Sequence, residues 1–215
     1  MIRKSRTGDE IRRFVSDDQD EFTAIGFAHS GGRVAIGCDS GVIQLWSPRS
    51  KKPQGFLKGL VHGVNLITFH KEKPIVVAAN HDGEIAAWVK EGRLWERLWF
   101  KKLQYDGVNQ LVISNDGTEV AVVFQKFPVC QSYVIMNGLP VRTIVDSCSH
   151  HLAFSEWKGT IVAGSGGGET RVQTAEGKLC GLLPVELTMF TLKWTPLSRP
   201  KKGDPSLHIR DFLAL

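Results

Sequence analysis

Two short stretches carry side chains or glycines of the kind that do chemistry. The run from Gly164 to Gly168, GSGGG, has the composition of a phosphate-binding loop. Such a loop leads into a helix whose N-terminus faces the anion, whereas here a strand-like sequence follows. Cys148, His150 and His151 are of metal-ligating types, but adjacent residues of a strand point to opposite faces. We therefore expect neither a phosphate site nor a metal site in these stretches.

The acidic side chains best placed to act as a general base, Asp39, Asp82 and Asp116, all lie in glycine-containing turns. A carboxylate at such a position hydrogen-bonds to the backbone of its own turn, so a structural role is favoured. No serine lies in a G-x-S-x-G sequence, the turn that exposes a hydrolase nucleophile. The sequence therefore predicts a non-catalytic protein with no cofactor and no small-molecule substrate.

The overall composition points to a soluble globular protein. The 215 residues are 42% hydrophobic and 23% charged, and the formal net charge is +5. The basic residues form separate pairs, such as Arg12-Arg13 and Lys51-Lys52, instead of one continuous stripe. Nucleic acid is therefore not an expected partner. Solvated loop charge is favoured, and a surface for an anionic partner is the alternative.

Cysteine spacing and hydropathy bear on the cellular compartment. Cys38, Cys130, Cys148 and Cys180 lie far apart and include no C-x-x-C pair, so neither a disulfide framework nor a zinc site is expected. The charged start MIRKSRTGDE has no apolar segment of a secretory signal. No apolar run approaches the ~20 residues of a membrane span. We expect a cytoplasmic protein without a transmembrane segment.

A repeat organises most of the chain. One large apolar residue closes a strand-like segment every 40–44 residues, at Phe27, Phe69, Ile113, Phe154 and Trp194. Each unit continues with a turn, a run rich in Val, Ile and Ala, a second turn, a third strand and a more polar fourth strand. Short strands separated by glycine and aspartate predict an all-β fold, and four strands per unit of this length predict a propeller blade.

The repeat gives the expected domain organisation. A twisted four-stranded sheet with two apolar faces is stable only when it packs between neighbours, as blades do. We expect an N-terminal segment, four blades, a partial fifth blade and a basic, irregular tail. Their predicted bounds are 1–21 for the segment, 22–58, 62–103, 107–146 and 150–185 for the blades, 187–198 for the partial blade and 199–215 for the tail.

The first two blades resemble WD repeats. Trp46 and Trp88 stand where that family has its strand-ending tryptophan, and HDGEIAAW matches its D-G-x-x-x-x-W core. Asp82-Gly83 indicates a tight two-residue hairpin turn. The sequence VHGV around His62 is similar to the family's Gly-His element. The resemblance implies a buried polar network, here partial, through His62, Asp82 and Trp88.

A narrower resemblance covers about residues 22–195. The G-x-I-x-x-W-x-x-x-G-x-x-W-E run from Gly83 to Glu96, S-x-D-G-T at 114–118 and the SYVIMNG and AFSEWKGT segments are similar to the N-terminal propeller of an intraflagellar transport complex A subunit, also found in a tubby-like relative. This resemblance implies a protein–protein interaction scaffold in retrograde ciliary transport, with protein partners and a location at the basal body and cilium. A substrate-adaptor propeller of a ubiquitin ligase and a generic WD-repeat scaffold are the alternatives.

The outer strand GRLWERLWF of the second blade is unusually aromatic. Trp95 and Trp99 are predicted to share a face, because residues four apart do so in a strand and in a helix. Packing between blades is favoured for them. A partner contact through Trp95, Trp99 and Phe100 is the alternative, since exposed tryptophans are common binding hot spots.

The number of blades has a further consequence. A closed seven-bladed ring at this period needs roughly 290 residues, so we expect an incomplete ring from a fragment or shortened product. The first blade is then expected to leave the apolar face around Val34, Ile36 and Val42 uncovered.

Overall fold

A computed structural model of the chain describes residues 2–3, 6–15, 20–127, 129–145, 151–154, 161–164, 170–173 and 179–183. Within these ranges the chain forms β-strands joined by turns and loops, and no helix occurs. The prediction of an all-β fold is confirmed. The predicted partial blade at 187–198 and the tail at 199–215 lie outside the described residues.

The strands form one small sheet and four larger ones. Two short strands, β1 (Ile2–Arg3) and β2 (Glu10–Arg12), pair with each other. Each larger sheet has four strands that follow one another in the chain and pair antiparallel with their neighbours. Sheet 1 contains β3 (Phe22–Phe27), β4 (Val34–Cys38), β5 (Ile43–Trp46) and β6 (Gly55–Leu57). Sheet 2 contains β7 (Val64–Phe69), β8 (Ile75–Asn80), β9 (Glu84–Glu91) and β10 (Leu94–Lys102).

The remaining two sheets repeat this order. Sheet 3 contains β11 (Val108–Ile113), β12 (Glu119–Phe124), β13 (Val129–Val134) and β14 (Pro140–Val145). Sheet 4 contains β15 (His151–Phe154), β16 (Ile161–Gly164), β17 (Thr170–Gln173) and β18 (Leu179–Leu183). The first strands β3, β7, β11 and β15 contact one another in sequence, so the sheets stand side by side in chain order.

Packing between sheets explains the runs of small apolar residues in the second strands. Every residue of β8 is buried, because both faces of the strand are covered. Val76 and Ala78 belong to the core between sheets 1 and 2, whereas Val77 and Ala79 belong to the core between sheets 2 and 3. Burial of a valine side chain stabilises a fold by about 1.5–3 kcal/mol. The strand β8 therefore stabilises two interfaces at once, as does β12, whose Val122 and Ala121 belong to the cores shared with sheets 2 and 4.

The first strands share an irregularity that no sequence pattern indicated. Each of β3, β7 and β11 shifts register near its start, leaving Thr23, Asn65 and Asn109 as the extra residues of three β-bulges. Three inter-sheet hydrogen bonds form near these bulges. The Thr23 hydroxyl donates to the carbonyl of Val64 over 2.5 Å, and the side chain of Gln110 makes hydrogen bonds of 3.1 and 2.8 Å with the backbone of Leu152.

The outward face of sheet 1 differs from expectation. Val34 and Ile36 are buried, because Phe14 from the N-terminal segment packs on them and on Trp46. The rings of Phe14 and Trp46 lie 5.0 Å apart. The prediction that this part of the face is uncovered was wrong, since the segment before the first sheet had been given no packing role. Farther along the same sheet Ile25, Phe27 and Phe56 remain exposed.

Candidate functional site

The carboxylate and imidazole singled out from the sequence lie at the surface. His62 Nε2 is 3.7 Å from Asp82 Oδ2, and the two side chains are 63% and 52% exposed. The Lys102 ammonium donates to the Asp82 backbone carbonyl over 2.5 Å. His62, Asp82 and Lys102 line an open groove of about 710 Å³ together with Tyr105 and Phe127. The residues that line this groove include both charge signs and two aromatic side chains.

Trp88 is not part of the polar network that the family resemblance implied. Its side chain is buried at the interface of sheets 1 and 2, and its Nε1 donates to the carbonyl of Lys58 over 3.2 Å. His62 and Asp82, by contrast, pair with each other at the exposed surface. The tryptophan therefore joins its sheet to the connection that precedes it. Trp46 is also buried and donates instead within its own strand, to Gln44 Oε1 over 3.1 Å.

The buried polar contacts of this region are made instead by an amide–carboxylate pair. Asn80 and Glu84 flank the turn that holds Asp82, and both side chains are buried. Glu84 Oε2 accepts hydrogen bonds of 2.8 Å from the Asn80 side chain and from the backbone amide of Val61. The Glu84 amide in turn donates to Asn80 Oδ1 over 2.9 Å. Sequence reasoning missed this pair, although the N-x-x-x-E spacing across a glycine turn was a readable signal.

The turn between β8 and β9 has three residues, His81, Asp82 and Gly83, where the sequence had indicated two. The amide of Gly83 bonds to the carbonyl of Asn80 over 3.4 Å, and Gly83 has a φ of 80°. A Cβ atom on Gly83 would overlap the carbonyl oxygen of Tyr105 in the connection to sheet 3. Both the backbone conformation and the close approach therefore require glycine.

The aromatic outer strand β10 contains a β-bulge that separates its tryptophans. Trp95 pairs with Lys90 and Trp99 with Ala87, and the register shifts between Arg97 and Trp99. The prediction that Trp95 and Trp99 share a face was wrong, because the extra residue reverses the alternation of side chains. Trp99 is buried against sheet 3, where its Nε1 donates to the carbonyl of Ile135 over 2.7 Å.

The other aromatic residues of β10 have different surroundings. Trp95 is half-buried and packs on the core between sheets 1 and 2. Phe100 is 38% exposed, and the guanidinium of Arg97 lies 5.8 Å from its ring centre. Of the three proposed partner contacts, Trp99 is therefore not accessible, whereas Trp95 and Phe100 retain exposed surface.

A histidine that sequence reasoning missed connects sheets 2 and 3. His70 is buried, and its Nδ1 accepts hydrogen bonds of 3.0 Å from the amides of Glu72 and Lys73. These bonds require Nδ1 to be unprotonated, so Nε2 carries the hydrogen and donates to the carbonyl of Gly117 over 3.1 Å. Burial lowers the pKa of His70 below its usual value, although the Gly117 carbonyl opposes the shift.

The remaining candidate bases are Asp116 and Asp39, and a buried free thiol, Cys38, precedes Asp39 in the chain. Partial burial raises the pKa of Asp116, but hydrogen bonds from Ser114 and Thr118 together outweigh it and leave the pKa lowered. Burial, followed by the nearby Asp20 carboxylate, raises the pKa of Cys38 to about 11, which keeps the thiol protonated at neutral pH. Asp39 is exposed in its turn.

The two stretches with metal- and phosphate-site composition fall mostly in undescribed parts of the chain. Cys148, His150 and the run 165–168 lie outside the described residues, whereas Gly164 ends β16 and His151 begins β15. Within the described part of the chain, no group of three histidine, cysteine or acidic side chains is arranged to hold a metal ion. The same residues include no helix with the length and apolar character that crossing a membrane requires.

Comparison with known proteins bears on the fold. No protein-family model and no curated protein matches the sequence. A chain in the structure titled "Crystal Structure of Mitotic Checkpoint Complex" matches with a TM-score of 0.66 and 14% sequence identity. The protein of the present sequence therefore has the fold of a WD-repeat β-propeller. The four larger sheets are accordingly blades, and β3, β7, β11 and β15 are their first strands.

The same comparison limits the conclusions about function. The match covers 80% of this chain and 55% of the solved one, so the chain spans about half the length of the propeller protein it matches. As many as 1404 solved chains match, which means that the likeness identifies an architecture shared by many proteins. A fold of this kind carries many functions, so function has to be argued from the surfaces.

Proposed function

We propose that the protein is a non-catalytic scaffold that binds other proteins of a multisubunit complex. The observation that carries the proposal is the use of its buried polar groups. Glu84, Asn80 and His70 are engaged in hydrogen bonds that tie turns and connections together. Their role is to hold neighbouring blades in place, which leaves the exposed edges of a stiff platform to meet partners.

The complex proposed is intraflagellar transport complex A, in which the chain takes part in cilium assembly. The support is the resemblance of the run from Gly83 to Glu96. In the structure this run forms β9, the turn at Gly92 and the start of β10, including half-buried Trp95. The location that goes with this proposal is the cytoplasm, at the basal body and along the cilium.

Proximity labelling and affinity purification of the tagged full chain in ciliated cells test this proposal. We expect complex A subunits among the recovered proteins and a signal concentrated at the ciliary base and along the axoneme. Recovery of ubiquitin-ligase subunits with diffuse cytosolic signal would contradict the transport role and support the adaptor function. Recovery of no protein above the level of a tag-only control would contradict the scaffold itself.

A further inference from the structure

The antiparallel order of the blades places two sets of loops on one edge of the molecule. In each blade the loop after the first strand and the loop after the third strand lie at the same end of the sheet. In blades 1 and 2 these are residues 28–33, 47–54, 70–74 and 92–93, here called the basic edge. The turns after the second strand lie at the opposite edge.

Blade 1 contributes only positive charge to the basic edge. Arg33 lies in its first loop, and Arg49, Lys51 and Lys52 lie in its second. Neither loop contains an aspartate or a glutamate. Because these side chains come from separate loops, the sequence shows them only as scattered basic residues, whereas the fold collects them.

Blade 2 extends the same surface. Lys71, Lys73, Lys90 and Arg93 lie in or beside its two loops, against the two acidic residues Glu72 and Glu91. The opposite edge of the same blades has a more even balance, with Asp39, Asp82 and Asp106 in its turns and connections against Lys58 and Lys102. The basic edge of these two blades therefore has the larger excess of positive over negative side chains.

A cleft of about 200 Å³ opens on the basic edge between blades 1 and 2. Its walls include three basic side chains and two tryptophans. They are Arg33, Lys90, Arg93, Trp95 and Trp46, and of these the Trp46 ring packs on Phe14 at the other face of blade 1. The guanidinium carbon of Arg33 lies 5.8 Å from the ring centre of Trp95. Stacking of this kind orients a guanidinium while leaving its outer N–H groups able to bind an anion.

The basic side chains of the cleft have no carboxylate counterpart in the described residues. The ion pairs found there are Arg13–Glu10, His62–Asp82 and Arg142–Glu119, and none of them involves the cleft. Several like charges around one concave site repel each other, and an anion bound there relieves the repulsion. An Arg side chain binds a carboxylate through two parallel hydrogen bonds, which favours a carboxylate ligand.

We propose that this cleft binds an acidic segment of a partner protein, with Asp or Glu carboxylates on Arg33, Lys90 and Arg93 and their methylene groups against the Trp95 ring. The proposal deepens the scaffold function and rests on it. The cleft is smaller than the roughly 300–1,000 Å³ of pockets for drug-sized ligands, and it suits individual side chains of a peptide. A membrane is disfavoured, because Trp46 is buried and Trp95 half-buried.

Fluorescence anisotropy with the full chain tests the proposal. The probe is a labelled ten-residue peptide of alternating Glu and Leu, and the control peptide has Gln in place of Glu. The double variant Arg33→Gln, Arg93→Gln removes two charges from the cleft. The matched variant Lys58→Gln, Lys126→Gln removes two charges from exposed residues of the opposite edge.

We expect the Glu peptide to bind the native chain and the opposite-edge variant equally. Binding to the cleft variant is expected to fall at least about tenfold and to weaken with added salt. Equal loss in both variants, equal binding of the Gln peptide, or no binding at all would overturn the proposal. So would cleft-dependent binding of anionic vesicles or duplex DNA without binding of the peptide. Thermal melts verify that the variants fold.

The outcome is separable from that of the ciliary experiment. If the native chain does not bind the Glu peptide while complex A subunits are still recovered, the cleft is rejected as the contact and the scaffold is retained. Peptide binding without recovery of those subunits would retain the cleft and reject the proposed complex.

Discussion

The indole Nε1 of Trp99 donates a hydrogen bond of 2.7 Å to the backbone carbonyl of Ile135, across the interface between blades 2 and 3. Trp99 belongs to the outer strand of its blade, yet only 8% of its surface is exposed. Its ring packs beside Gly138, whose missing side chain leaves room for the indole. A single residue of an outer strand therefore joins the outer parts of two neighbouring blades.

Replacement of this residue is expected to be costly. Trp99→Ala should lower the free energy of unfolding by about 3–5 kcal/mol, since it removes a large buried ring. Trp99→Phe should cost about 1–3 kcal/mol, because the Ile135 carbonyl loses its donor. Urea denaturation monitored by circular dichroism measures both. Trp95→Ala is the control, with a smaller loss expected for a half-buried ring, and an equal loss would contradict the bulge that separates the two faces.

The turn at Gly83 provides a second test. Gly83→Ala should destabilise the protein through its positive φ, by about 1–2 kcal/mol, and further through overlap with the Tyr105 carbonyl. Gly92 also has a positive φ, of 58°, but a Cβ atom there meets nothing within 4 Å. Gly92→Ala therefore measures the destabilisation caused by the positive φ alone. Equal shifts in the thermal midpoint of the two variants would exclude the close approach at Gly83.

The buried carboxylate of Glu84 is expected to stabilise the link between blades 1 and 2. Glu84→Ala leaves the Val61 amide and the Asn80 side chain without their acceptor, at a cost of about 1–3 kcal/mol for each buried group. Glu84→Gln keeps an acceptor oxygen and should lose less. Hydrogen exchange at the Val61 amide measures the effect locally. Unchanged protection in Glu84→Ala would show that this bond does not hold the connection.

His70 is expected to make stability depend on pH. Its pKa is lowered in the folded chain, chiefly by burial, so the unfolded chain binds the extra proton first as the pH falls. The stabilisation is therefore complete above about pH 6.5 and decreases as the pH falls below it, by at most about 1.4 kcal/mol per pH unit. His70→Asn should have a flatter profile between about pH 7.5 and about pH 5.5. Parallel profiles for the two proteins would contradict the prediction.

Much of the architecture is readable in the sequence, because blades obey simple rules. Trp46 and Trp88 recur at the same position of successive units, and the second strands are continuous in Val, Ile and Ala because they are covered on both faces. The periodicity of such residues identifies the units. This periodicity does not show which side chains of neighbouring units meet at the surface, because that depends on how the loops lie in three dimensions.

The features that escaped prediction depend on contacts between distant residues. The bulge beside Leu98 leaves no mark in GRLWERLWF, since any residue can occupy such a position, and it reverses the direction of Trp99. Phe14 lies in a charged segment that has no repeat, so its place on Trp46 becomes visible only in three dimensions. The cleft beside Trp95 combines residues of two blades for the same reason.

The strands β8 and β12 each contribute side chains to two interfaces, which bears on how the protein unfolds. Side chains of β8 alternate between the core shared with blade 1 and the core shared with blade 3, and the described cores connect adjacent blades. Cooperativity then passes from neighbour to neighbour, as in a one-dimensional array. A substitution at one interface is felt by the two blades that form it and fades beyond them. Mechanical pulling should accordingly release the chain in steps of one blade each.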